Sequence, residues 1–132
     1  MIGTRIDHIG IAVKNLDEAL KVYTEVLGLK VQAMETQEDQ KVKTAIIQVG
    51  ESKIELLEST SPDGVIAGFI AKRGEGLHHV ALGVDNIEEA LRQVKEKNIP
   101  LIDEKPRQGV QNTRIGFIHP KGTKILLELV EK

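Results

Sequence analysis

Apolar and polar positions change rhythm several times along this chain, and each change marks an element. Arg5–Val13 is apolar and β-branched almost throughout, which predicts a strand. Leu16, Ala19, Leu20, Tyr23 and Leu27 then recur at the spacing of one helix face. Asn15 precedes that run with Glu18 three residues on, close to a capping box, and Gly28 stands where a left-handed residue would end the helix. Three strands are expected next, at Lys30–Glu35, Val42–Val49 and Lys53–Glu58, the last two joined by the turn Gly50-Glu51-Ser52. Ser59-Thr60-Ser61-Pro62-Asp63-Gly64 breaks the pattern. A short apolar helix over Val65–Ala71 and a linker, Arg73-Gly74-Glu75-Gly76, follow.

The rhythm then starts again. Asp7-His8-Ile9-Gly10-Ile11-Ala12-Val13 lies over His78-His79-Val80-Ala81-Leu82-Gly83-Val84 at an offset of 71. Asn15 meets Asn86, Glu18 meets Glu89, and Leu20 meets Leu91 without a gap. Ile54-Glu55-Leu56-Leu57-Glu58 matches Leu127-Glu128-Leu129-Val130-Glu131 at an offset of 73, as a two-residue change in loop length would produce. The second helix carries Ile87, Ala90, Leu91 and Val94 on one face, and Pro100 lies beyond its end. Strands are expected at Leu101–Ile102, Arg114–His119 and Lys124–Val130, with Pro120-Lys121-Gly122 as a hairpin turn. One domain over residues 1–132 is therefore expected, with module one at about 4–60 and module two at about 75–131.

Composition narrows the classes. Apolar residues make up 40% of the 132 and aromatics only 2%, so the core must be aliphatic. The net charge of −2 and the few rings argue against a nucleic-acid surface. The absence of cysteine excludes disulfides and thiolate metal sites. With no apolar run of membrane-spanning length and no signal-like N-terminus, a soluble cytoplasmic protein is expected.

Four residues resist a purely structural explanation. His8 and His79 occupy equivalent places in the repeat, and small residues share their strand faces: Gly10 and Ala12 for His8, Ala81 and Gly83 for His79. Glu55 and Glu128 sit at equivalent places inside strongly apolar strands, where a carboxylate is costly unless paired or bound to a cation. A single strand histidine is ordinarily structural, and a single strand glutamate ordinarily faces water. Recurrence in both halves favours a site instead, and two His with two Glu suit a divalent transition metal. His78 points away from His79's face and is expected to be structural or superficial. His119 belongs either to a turn or to a substrate-binding loop.

These segments resemble the vicinal oxygen chelate (glyoxalase I-like) superfamily, and within it the methylmalonyl-CoA epimerases. The resemblance rests on Ile6–Val13, Lys53–Glu58, Ile66–Ile70, Gly74–Ala81 and Phe117–Lys121, and spans nearly the whole chain. Gly76-Leu77-His78-His79 and Phe117-Ile118-His119-Pro120-Lys121 are its more discriminating parts. It implies an α+β fold of two tandem βαβββ modules in a cupped, open mixed sheet. It maps the ligands of one divalent ion (Co, Mn, Zn or Ni) onto His8, Glu55, His79 and Glu128. It further implies an acyl-CoA thioester substrate, a homodimer, and α-proton transfer with Glu128 as one base. Thr44, Gln48, His119 and Lys121 are the expected substrate contacts. Some epimerases carry a second basic glutamate where this chain has Thr44, which cannot serve at neutral pH. The loop Gly109-Val110-Gln111-Asn112-Thr113 also lacks the usual glycines, and Lys121–Lys124 is shortened. A glyoxalase I-like lactoylglutathione lyase, an extradiol dioxygenase and a non-catalytic small-molecule binder are the competing readings on the same scaffold.

Overall fold

The computed structural model describes residues 2–132. The chain divides into two compact units. One is Ile9–His78; the other joins the residues up to His8 to His79–Lys132. Among the described residues, no helix is long and apolar enough to cross a membrane.

In the Ile9–His78 unit, the latter part of β1 (Arg5–Ala12) lies beside β4 (Ser52–Ser59), followed by β3 (Val42–Val49) and β2 (Val31–Gln37). β2, β3 and β4 form an antiparallel meander. Helix α1 (Leu16–Lys21) packs on one sheet face, where Leu16 is buried with Val13, Ala45, Ile47 and Leu56. The opposite face buries Ala12, Val42 and Leu57 against Ile66 of α2 (Val65–Arg73). Period-2 alternation thus assigns the even residues of β3 and the odd residues of β4 to the α2 face.

The other unit repeats this order. The start of β1 lies beside β5 (Gly76–Gly83), then β8 (Leu127–Glu131), β7 (Arg114–Ile118) and β6 (Arg107–Gln108). β5 and β8 run parallel, whereas β8–β7 and β7–β6 are antiparallel, so the pairing is mixed as expected. Helix α3 (Ile87–Glu96) buries Ile87, Ala90, Leu91 and Val94 against Ile118 and Leu129.

Both predicted helix caps form. Asn15 Oδ1 accepts the Glu18 N–H at 2.9 Å, and Asn86 Oδ1 accepts that of Glu89 at 3.0 Å. One carboxylate finishes each helix start. Glu58 accepts the Leu16 N–H at 3.2 Å, and Glu131 accepts the Ile87 N–H at 2.8 Å. These groups satisfy donors that a helix leaves open and oppose the positive end of its dipole.

Several boundaries differ from expectation. The first helix widens into a π-turn over Val22–Val26, which carries Leu27 out to 59% exposure. Gly28, at φ 72°, ends it as anticipated. Leu101–Ile102 is no strand: Leu101 makes one bridge to Ile118, and the edge strand lies later, at Arg107–Gln108. Pro100 and Pro106 bracket that stretch and remove ladder donors. The final strand starts at Leu127 rather than Lys124, because Pro120–Thr123 forms the one-turn helix α4 and Lys124 takes a left-handed conformation.

Candidate metal centre

His8, His79 and Glu128 come together within one unit. His8 Nε2 lies 3.1 Å from His79 Nε2, and the two rings meet edge to face. Glu128 Oε1 is 3.2 Å from His79 Nε2 and 3.6 Å from His8 Nε2. Each of the three residues is at most 5% exposed. β5 and β8 bring two of them close, since their parallel register places Ala81 beside Glu128 and Ala81 shares a strand face with His79. The small alanine side chain leaves room on that face.

The chemistry of this donor set fits a cation. Donors on adjacent octahedral positions at about 2.1 Å from an ion are roughly 3.0 Å apart, and tetrahedral ones about 3.4 Å. The three separations fall around this range. Two imidazoles and a carboxylate, withdrawn from water, are also the mixed N/O set that divalent transition metals favour.

Asp7, overlooked in the sequence, orients the first of these ligands. Its Oδ2 lies 2.7 Å from His8 Nδ1. A carboxylate can only accept, so Nδ1 carries the proton and Nε2 faces the cluster. Asp7 is buried, with Arg5 and Lys132 at 3.9 and 3.7 Å as outer cations. A charged residue inside an apolar strand, directly before a repeated histidine, was the available signal. On the other side, Phe117 packs edge to face on His79, and the Arg107 guanidinium covers the Phe117 ring at 5.0 Å.

Glu55 lies in the other unit, on β4. It is 5% exposed, opposite Ile46 in the β3 register and on the α2 face. Thr44 is fully buried on that face, opposite Leu57. Gln48 is exposed, and its amide donates to the carbonyls of Gly50 and Ser52 across the hairpin turn. His78 rests edge to face on Phe69 of α2, and burial holds its imidazole below the usual histidine range. His119 caps α4, its Nδ1 accepting the Lys121 N–H at 3.0 Å, and both residues are exposed. The Gly109–Thr113 loop turns through left-handed Gln111 and Asn112, where Asn in particular tolerates that conformation.

Comparison with known proteins places this architecture in a class. Residues 7–117 match the Glyoxalase/Bleomycin resistance protein/Dioxygenase superfamily, and the chain belongs to it. The eight-strand mixed sheet with helices is the fold of solved members. Within the superfamily the chain is similar to methylmalonyl-CoA epimerases. It is 35% identical to the mitochondrial methylmalonyl-CoA epimerase of Bos taurus, over 95% of this chain and 73% of that protein. A solved methylmalonyl-CoA epimerase in complex with methylmalonyl-CoA and NH4+ superposes with a TM-score of 0.94 at 36% identity. That match covers 98% of this chain and 95% of the other. The chain is also 42% identical to the uncharacterized protein YqjC of Bacillus subtilis (strain 168), over 96% of this chain and 91% of that one.

Proposed function

We propose that this protein is a metal-dependent epimerase interconverting (2R)- and (2S)-methylmalonyl-CoA. The observation that carries the reading is the convergence of His8 Nε2, His79 Nε2 and Glu128 Oε1 in a buried cluster. The similarity to epimerases supports the substrate. His8, His79 and Glu128, with Glu55 as fourth donor, would hold one divalent cation, drawn from Co, Mn, Zn and Ni. When bound, such an ion supplies a Lewis acid for the charge that develops on the thioester oxygen as the α-proton leaves.

The chain's own groups supply the rest. Asp7 keeps His8 Nε2 directed at the cluster. Glu128 has two carboxylate oxygens, so one can remain a donor while the other takes the α-proton and returns it. The three side chains are withdrawn from water, which strengthens each of these interactions. Exposed Lys121 and His119 suit the phosphates of the CoA moiety, and Thr44 and Gln48 are proposed as further substrate contacts. The active form is proposed to be a homodimer, checked by light scattering after size exclusion.

Solvent exchange tests the reading directly. Incubating the Co- or Mn-loaded protein with (2R)-methylmalonyl-CoA in deuterated water should label the α-carbon and produce the 2S epimer. Labelling no faster than the uncatalysed rate would overturn it.

A further inference from the structure

The sheet face that carries Glu128 also holds an arginine to which the reaction above gives no part. In the β7–β8 register Phe117 lies directly opposite Glu128, so the two side chains share a face. Ile115 shares that face by period-2 alternation, and the β6–β7 register sets Arg107 opposite Ile115. Arg107 therefore stands on the face of Glu128, two strands away and within the same unit.

The contacts agree with the register. The Arg107 guanidinium carbon is 5.0 Å from the centre of the Phe117 ring, and that ring is 5.8 Å from the His79 ring. These two steps keep the guanidinium within about 11 Å of the His79 imidazole. Its orientation is fixed from one side. Nε lies 3.2 Å from Asp103 Oδ2, which also accepts the Phe117 N–H at 2.9 Å. Among the described residues, neither terminal nitrogen has a hydrogen-bond or ion-pair partner. β6 ends the sheet, and the arginine side chain is 39% exposed. The guanidinium is thus held through Nε and open to water at its other two nitrogens.

We infer that Arg107 is a specificity residue that binds the free carboxylate of a dicarboxylic acyl thioester, its two terminal nitrogens donating to the two carboxylate oxygens. The inference rests on the epimerase reading above for the acyl-CoA. Two parallel N–H groups match a carboxylate in a way that an ammonium does not. A short acyl chain with one end at the histidine–glutamate cluster falls within the separation from His79. The contact also bears on the chemistry. A carboxylate on the α-carbon opposes the negative charge that develops as the α-proton leaves, and the guanidinium offsets it. An acyl group with no carboxylate leaves the arginine unpaired and is disfavoured.

The test compares methylmalonyl-CoA with propionyl-CoA, which has the same CoA portion and no carboxylate. Isothermal titration measures both on metal-loaded wild type, Arg107→Gln and Arg107→Lys. Wild type should bind methylmalonyl-CoA about 10–100-fold more tightly, the range for a hydrogen-bonded charge. Arg107→Gln should lose most of that preference and raise KM for methylmalonyl-CoA by a similar factor. Its affinity for propionyl-CoA and its metal content should be unchanged, and Arg107→Lys should keep part of the preference. Equal weakening of both ligands would make Arg107 a contact of the CoA portion or a prop for Phe117. That result, or an unchanged preference in Arg107→Gln, would overturn the proposal while wild-type epimerisation stands. If wild type binds neither thioester, the epimerase reading falls and the role of Arg107 with it.

Discussion

The two modules follow one grammar and differ in where they depart from it. Each opens with a strand carrying a buried histidine, caps its helix with an asparagine, and ends on a strand with glutamates three residues apart. In each, the second glutamate of that pair holds the helix start. An odd spacing on a strand puts its two members on opposite faces, so the first glutamate is turned inward while the second meets the helix. The residue before the histidine is not shared. Asp7 hydrogen-bonds the neighbouring His8, whereas His78 stacks on Phe69. The modules thus keep the groups that hold a site and a helix, and diverge in the groups that tune them.

The strongest way to break the symmetry is to remove a shared group. His79→Ala should abolish stoichiometric metal binding and lower epimerisation by more than about 1,000-fold, since it removes a donor and leaves Glu128 buried beside a void. Atomic absorption on the purified variant, with unchanged metal content, would exclude His79 as a ligand. The next test addresses what the modules do not share. Asp7→Asn should weaken metal affinity by about 10–100-fold, the usual effect of losing a partner that orients a histidine ligand. His78→Asn should change it much less, and competition with a chelating dye compares the two. Equal losses would mean that the asymmetry has no bearing on the site.

Smaller effects sharpen the helix comparison. Glu58→Gln and Glu131→Gln should each cost roughly 1 kcal/mol in urea unfolding, because each removes a charge from a helix N-terminus. A large difference between them would show that one module depends more on its anchor. The smallest effects lie at the surface. Glu89 is held down to about 2 from 4.5 by its hydrogen bonds from Arg92, and Asp63 to about 2 from 3.8 by Lys41. A carboxyl lowered on folding contributes stability that is complete above its unfolded value and lost as pH falls through the folded one. These contributions should therefore disappear between about pH 4.5 and 2, with carboxyl carbon shifts showing both midpoints near the lower end. Midpoints at the unfolded values would show that the pairs do not persist in solution.

Internal repetition made the helices, their caps and the four candidate ligands readable, because the same side chains recur where ordinary packing would not require them. Asp7 was missed because successive strand residues normally face apart, and only coordinates show its carboxylate reaching His8 Nδ1. The Leu101–Ile102 strand failed because its apolar pair is too short to distinguish a ladder from a single bridge. The β2 bulge at Gln32 could not be read by pattern at all, since a bulge inserts its extra residue without a distinctive composition. The similarity to methylmalonyl-CoA epimerases, anticipated from the motifs, was confirmed by comparison.

The bulge also bears on how such a chain can evolve. In β2 Val31 pairs with Ile47 and Ala33 with Ile46, so the strand holds one extra residue at Gln32 and keeps regular partners beyond it. Deleting Gln32 would restore regular pairing from Val31 onward, with Glu35 still opposite Thr44. For this strand, a single-residue insertion or deletion at the bulge is absorbed locally and leaves the facing of the later side chains unchanged.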